Sequence, residues 1–176
     1  TYTYDSTDDI GKLFDLAADG HMYSRISNPT VAYYEQKLAA LEGGIGAVCT
    51  TSGQAASFLS LFNICTAGQH FIACAKIYGG TYNLFNVTMR RMGIDCTFID
   101  QDASEDEIQK AFRPNTRAVF GESLANPALS VLDIEKLARI AHKNGVPLIV
   151  DNTFPTPIFC NPIRFGADIV VHSTTK

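Results

Sequence analysis

Ser173-Thr174-Thr175-Lys176 puts three hydroxyls and a lysine directly after the β-branched run Ile169-Val170-Val171. That run predicts a short buried strand. A lysine at the end of such a strand can be partly desolvated, which favours its neutral, nucleophilic amine. Hydroxyls beside it can hold an anion. The combination suits a Schiff-base lysine with a phosphate next to it, as pyridoxal phosphate (PLP) chemistry requires. The same residues also suit an ordinary surface lysine after an edge strand.

Other chemistry-bearing residues fall at similar places. Ser52-Gly53-Gln54 sits between a predicted strand and a helix. Free N–H groups and the helix dipole there favour a phosphate, and a plain N-cap turn reads the same way. The turn matches neither G-x-x-x-x-G-K-[ST] nor G-x-G-x-x-G, which disfavours a nucleotide P-loop and a dinucleotide site. Asp151 follows the apolar run Pro147-Leu148-Ile149-Val150. A carboxylate there needs a partner, either a turn or a pyridinium nitrogen. Asn126 lies in Glu122-Ser123-Leu124-Ala125-Asn126-Pro127. It reads as a structural Asn-Pro turn or as an amide donor to a cofactor phenolate. Tyr78 precedes Gly79-Gly80 and is either a half-buried core ring or a ring stacked on a flat cofactor. His172 reads as a packed strand-end residue and receives no role.

The elements that must position these residues alternate. Strands are expected at Ala47 to Thr51, His70 to Ala73, Asp95 to Ile99, Arg117 to Phe120, Val146 to Val150 and Ile169 to Val171. Helices are expected at Ala55 to Cys65, Tyr82 to Met92, Glu105 to Phe112 and Asp133 to Asn144. Ser104 and Glu107 form a capping box for the third of these. Upstream, a short helix around Asp8 to Ala18 precedes an amphipathic helix from Val31 to Glu42, with Val31, Tyr34, Leu38 and Leu41 on one face. The β-α-β rhythm implies a mostly parallel sheet with helices on both faces, an α/β fold. Such sheets bind ligands beyond the carboxyl ends of their strands, where the residues above gather.

With 46% hydrophobic residues, the chain is expected to pack a core rather than stay disordered. Its net charge of −4 and scattered basic residues argue against nucleic-acid binding as the main role. No apolar run approaches a membrane span and no signal-peptide pattern opens the chain. Cys49, Cys65, Cys74, Cys96 and Cys160 form no C-x-x-C pair, and no Cys or His pair has zinc-ligand spacing. They read as reduced core residues of a cytoplasmic protein, with no metal expected. Thr1 in place of an initiator methionine, and a reactive-looking lysine at position 176, suggest a fragment or a chain interrupted by a modified lysine.

The chain resembles the Cys/Met-metabolism family of PLP enzymes, which share the aspartate-aminotransferase-like fold (fold-type I). The carrying residues are Tyr23-Ser24-Arg25-Ile26-Ser27-Asn28-Pro29-Thr30, Leu41-Glu42-Gly43-Gly44, Ser52-Gly53-Gln54-Ala55-Ala56, Tyr78-Gly79-Gly80-Thr81-Tyr82, Val150-Asp151-Asn152-Thr153 and Val171-His172-Ser173-Thr174-Thr175-Lys176. The resemblance implies that Lys176 forms the Schiff base with pyridoxal 5'-phosphate and later shuttles protons. It implies that Asp151 keeps the pyridine nitrogen protonated, that Tyr78 stacks on the ring and that Asn126 donates to the 3-oxygen. Gly53, Gln54, Ser173 and Thr175 correspond to the phosphate cradle, and Ser52 is counted with them among the cofactor-binding residues. Tyr23 and Arg25 correspond to a pair that reaches the phosphate of a neighbouring subunit.

The implied organisation is an arm at 1–27 and a PLP-binding α/β domain at 28–176, with a smaller C-terminal domain absent. The implied assembly is a homo-oligomer of shared-site dimers, a homotetramer. Within the family, the Tyr78 and Ser52 motifs are most like O-acetylhomoserine sulfhydrylases of methionine biosynthesis. Methionine γ-lyases typically carry a cysteine where Gly80 stands. Gly80 therefore reads as room for a nucleophile, as the needs of a tight turn, or as both. The implied reaction is γ-replacement on O-acetylhomoserine by sulfide or a thiol. The alternatives are a methionine or cystathionine γ-lyase, a cystathionine γ-synthase, and a non-catalytic module that binds a phosphorylated ligand.

Overall fold

The computed structural model describes residues 2–176. Two compact units meet in sequence at Cys49/Thr50.

The first unit holds α1 (Thr7–Phe14) and α2 (Pro29–Glu42). Ser6 caps α1 by accepting from the Asp9 N–H, and Asn28 caps α2 by accepting from Thr30 and Val31. Gly43, in the left-handed region at φ 76°, ends α2. On the apolar face of α2, Val31, Tyr34 and Leu41 are exposed, while Ala39 and Glu42 are buried. Periodicity located this helix.

The expected strand from Ala47 to Thr51 does not form. Val48 is exposed, and the Cys49 N–H donates to Glu35 Oε1 at 2.6 Å instead of to a ladder. A β-branched run becomes a strand only where a neighbouring edge accepts its hydrogen bonds.

The second unit is built on one parallel sheet: β1 (His70–Cys74), β2 (Asp95–Ile99), β3 (Thr116–Glu122), β4 (Leu148–Asp151) and β5 (Ile169–Val171), in the order β2-β1-β3-β4-β5. Every residue of β1 is buried, and in β3 only Arg117 is exposed. Alternate side chains point to opposite faces, so both faces of the central strands are covered. The helices are α3 (Gly53–Phe62), α4 (Gly79–Asn83), α5 (Glu105–Gln109), α6 (Ile134–Lys143) and α7 (Thr156–Phe159). The α/β architecture expected from the alternation is present. Ser104 and Glu107 form the expected capping box on α5, and Asp133 caps α6 through the Lys136 N–H.

The helix expected from Tyr82 to Met92 begins earlier, as α4, and continues as a π-helical run over Leu84–Met89. Aromatic contacts pin it. Tyr82 stacks on Phe98 of β2 at 4.2 Å, and Phe85 lies edge-on to Phe71 of β1 and Phe120 of β3 at 5.0 and 4.9 Å. Burial of a Phe such as Phe85 contributes about 1.5–3 kcal/mol. These contacts set the height of α4, and with it the position of Tyr78.

Candidate functional site

The connection from β1 leads to β2 on one side, while β3 lies on the other side of β1. Strand order therefore turns at the β1/β3 crevice, the place where open parallel sheets hold ligands. Tyr78 follows β1 at this crevice, and its backbone N–H donates to Glu122 Oε1 at 2.7 Å. Glu122 is the last residue of β3 and is buried. Its Oε2 accepts the Asn126 N–H at 3.3 Å. One carboxylate thus brings together two residues expected at the site. The Tyr78 ring is half exposed and lies over Gly80: a Cβ on Gly80 would stand 2.5 Å from Tyr78 Cε1. Gly80 has no positive φ. The space its missing side chain leaves is filled by the Tyr78 ring, which differs from both readings of the sequence.

Asp151 ends β4 beside Glu122, its partner in register on β3. Thr153 donates to Asp151 Oδ1 twice, through its N–H at 3.0 Å and its hydroxyl at 2.5 Å. The Ser173 N–H donates in turn to Thr153 Oγ1 at 2.9 Å. Thr153 therefore ties the carboxylate after β4 to the hydroxyl loop after β5. Burial pushes the Asp151 carboxyl above its ordinary value, while the Thr153 bonds and the nearby His172 pull it down. Burial likewise pushes Glu122 up to about 7, with Asp151 adding to the rise and the two N–H donors opposing it. Asp151, held above its usual range by burial, is a carboxylate that gains from a cationic partner such as a protonated ring nitrogen.

The hydroxyl loop meets α3. A Cβ on Gly53 would stand 2.6 Å from Ser173 Cβ, so glycine is what permits this approach. Ser173 Oγ and Thr175 Oγ1 are 3.0 Å apart. Ser52 spends its hydroxyl as the α3 N-cap, accepting from the Ala55 N–H at 3.1 Å. The first N–H groups of α3, those of Gly53 and Gln54, have no intrahelical acceptor. The Gln54 side chain is turned to Thr81, donating to its Oγ1 at 2.9 Å.

Lys176 is exposed, beyond the end of β5. His172 and Ser173 are still partly buried, and Thr174 and Thr175 are exposed. Tyr23 and Arg25 belong to the first unit and are both exposed, with the guanidinium 5.3 Å from the Tyr23 ring centre.

Glu122, Thr153 and Thr81 were not singled out from the sequence. For Glu122 the signal was a charged residue directly after the apolar run Ala118-Val119-Phe120-Gly121. For Thr153 it was the spacing of two from Asp151, which suits an Asx turn.

The residues fit a flat phosphorylated pyridine: a glycine-lined approach of Ser173 to a helix N-terminus stands beside a buried carboxylate and a half-exposed tyrosine. Among the described residues, no group of His, Cys, Asp and Glu could hold a metal, and no helix is long and apolar enough to cross a membrane.

Comparison with known proteins points the same way. The model of the Cys/Met metabolism PLP-dependent enzyme family matches residues 1–176. An O-acetyl-L-homoserine sulfhydrylase of Leptospira meyeri is 47% identical over the whole chain, and a homocysteine/cysteine synthase of Kluyveromyces lactis is 46% identical. An L-methionine gamma-lyase of Fusobacterium nucleatum is 44% identical. The chain spans about 40% of the length of the first two relatives and 45% of the third. A crystal structure of a putative O-acetylhomoserine (thiol)-lyase from Campylobacter jejuni, with a pyridoxyl-lysine monophosphate, superposes with a TM-score of 0.91 at 39% identity, covering 99% of this chain and 43% of that one. A family match over every residue, with a parallel sheet that overlays on a PLP-bearing relative, leaves one conclusion: the chain belongs to the Cys/Met metabolism family of PLP-dependent enzymes.

Proposed function

We propose that the protein is a PLP-dependent transferase that performs γ-replacement on O-acetylhomoserine, with sulfide or a thiol as the incoming group, giving homocysteine or a thioether such as methionine and acetate. The observation that supports the reading is the gathering of Tyr78, Asn126, Asp151 and the Gly53–Ser173 approach at the carboxyl ends of one parallel sheet. The names of the sulfhydrylase relatives supply the substrate class.

Bound PLP supplies an aldehyde for Schiff-base formation and a ring that accepts electrons from the substrate. Lys176 supplies the amine that bonds to it and then moves protons at the substrate's Cα and Cβ. Asp151 holds the proton on the ring nitrogen, and Thr153 orients that carboxylate through its two donations. Tyr78 covers one face of the ring. Asn126 donates its side-chain amide to the 3-oxygen. The first N–H groups of α3, with Ser173 and Thr175, hold the phosphate. Tyr23 and Arg25 reach the phosphate of a neighbouring subunit, so that sites are shared in a dimer and two dimers form a tetramer in the cytoplasm. The arm at 1–27 makes that reach, and residues 28–176 form part of the PLP-binding domain.

A γ-lyase is the second reading, favoured by the methionine gamma-lyase relative. The test is the product ratio of the full-length protein given O-acetylhomoserine over a range of sulfide concentrations. Homocysteine should exceed α-ketobutyrate. A product dominated by α-ketobutyrate at saturating sulfide, with methionine also cleaved, would move the protein to the lyase branch.

A further inference from the structure

Glu122 stands at the crevice where strand order turns, and nothing in the proposed chemistry uses it. Glu122 is 4% exposed in an apolar sheet, an expensive place for a charge. Both oxygens are engaged, and neither bond is to a side chain. Oε1 takes the N–H of Tyr78 at 2.7 Å and Oε2 takes the N–H of Asn126 at 3.3 Å. Tyr78 belongs to the loop after β1 and Asn126 to the loop after β3, so the two partners lie on opposite sides of the crevice. A single N–H donor would need only one acceptor. A fork is needed to hold two main chains in a fixed relation.

We infer that Glu122 is a positioning residue of the cofactor site: its two oxygens hold the backbone at Tyr78 and Asn126 together, and so set the stacking tyrosine and the 3-oxygen donor in one frame. The inference rests on the PLP reading. It adds a residue that acts through Tyr78 and Asn126 instead of through direct contact. Its register partner Asp151 adds a second consequence, because the fork then stands beside the carboxylate proposed for the ring nitrogen. Three groups directed at one flat ring are thereby referenced to a single pair of strand ends.

The alternative is a carboxylate that merely satisfies two buried N–H groups. Glu122→Gln separates the two, because it keeps the shape and leaves one acceptor for two donors. In the full-length protein at pH 8, Glu122→Gln should raise the PLP dissociation constant about tenfold or more, the cost of one lost hydrogen bond to a charged group. It should also halve the visible circular dichroism of bound PLP, which reports how the ring is held. The melting temperature of the PLP-free form should move by only a few degrees. Glu122→Asp keeps the charge and loses the reach, so it should show the same losses. In a Tyr78→Ala/Asn126→Ala background, Glu122→Gln should cause no further loss of affinity, since the groups it positions are gone.

Affinity and dichroism within twofold of wild type in Glu122→Gln would overturn the inference. So would full rescue by Glu122→Asp, or an undiminished loss in the double-alanine background. Should Glu122→Gln fail to fold, amide exchange of the wild type decides: the Tyr78 and Asn126 N–H groups should be protected, and exchange at open-chain rates would overturn the fork. The PLP reading fails separately, by a wild-type protein with no visible band that borohydride abolishes.

Discussion

The ring of Tyr78 occupies the volume that a side chain on Gly80 would need, with Cε1 only 2.5 Å from the Cβ position. Two neighbouring residues are therefore coupled by shape: the tyrosine keeps its pose because the glycine has no side chain. Gly80→Cys, and to a smaller degree Gly80→Ala, should swing the ring aside without unfolding the sheet, because the obstructing atoms belong to a ring that can rotate. Loss of a stacking contact is worth about 0.5–1.5 kcal/mol, or roughly two- to tenfold in PLP affinity. Titration of the PLP-free full-length variants with PLP measures it. An unchanged dissociation constant in Gly80→Cys would show that this pose does not matter for binding.

Asp151 and Thr153 make a second coupled pair. Asp151→Asn keeps the shape, and the loss of charge relieves a burial cost, so thermal stability should stay within a few degrees. Turnover should fall on the order of a hundredfold, because an amide cannot hold a proton on a ring nitrogen. Activity and melting temperature measured on the same preparation check this. Parallel losses in the two would mark Asp151 as purely structural.

The buried Glu122 predicts a pH dependence of stability. Its folded-state value of about 7 lies above the ordinary 4.5 of a glutamate. Between these two values the folded protein holds a proton that the unfolded chain has released. Stability of the PLP-free protein should therefore fall as pH rises from about 4.5 to about 7 and then level off, by roughly 3 kcal/mol at 1.4 kcal/mol per unit. Asp151, raised in the same direction, adds to the fall. Urea midpoints across this range measure it, and Glu122→Gln should flatten the curve. A slope unchanged in that variant would assign the effect to other groups.

Arg25 lies in the first unit, exposed, yet is proposed to hold a phosphate in a neighbouring subunit. Arg25→Ala and Lys176→Ala should each be nearly inactive alone, the second still folded and retaining some PLP. Mixed and allowed to exchange subunits, they should regain a site with both residues intact, about a quarter of wild-type activity if hybrid dimers form at random and one of their two sites is whole. Assay after verified exchange is the measurement. No recovery would show that the two residues act within one chain.

Local signals carried much of this fold into the sequence. The capping box of Ser104 and Glu107 and the Asp133 cap depend on residues within one turn of each other, so their spacing alone reveals them. The short apolar runs of β1, β2 and β5 were legible for the same reason, and so was the gathering of Tyr78, Asn126 and Asp151 beyond strand ends. What depended on a distant partner was not legible. Ala47 to Thr51 has the residues of a strand but no ladder, and pairing is a property of two segments. The covered side of α2 depends on what packs there, which periodicity does not encode. Glu122 lay beyond the expected strand Arg117 to Phe120, and only in the structure does β3 include it and do its two oxygens meet N–H groups from two loops. Gly80 looked like a turn or an opening until the Tyr78 ring was found in its place. Residue types determined which chemistry was available, because pyridinium, phosphate and amine each need a particular partner. Only the tertiary structure decided which main chains the buried carboxylate joins, because a hydrogen bond depends on where two atoms stand and not on how far apart they are in the chain.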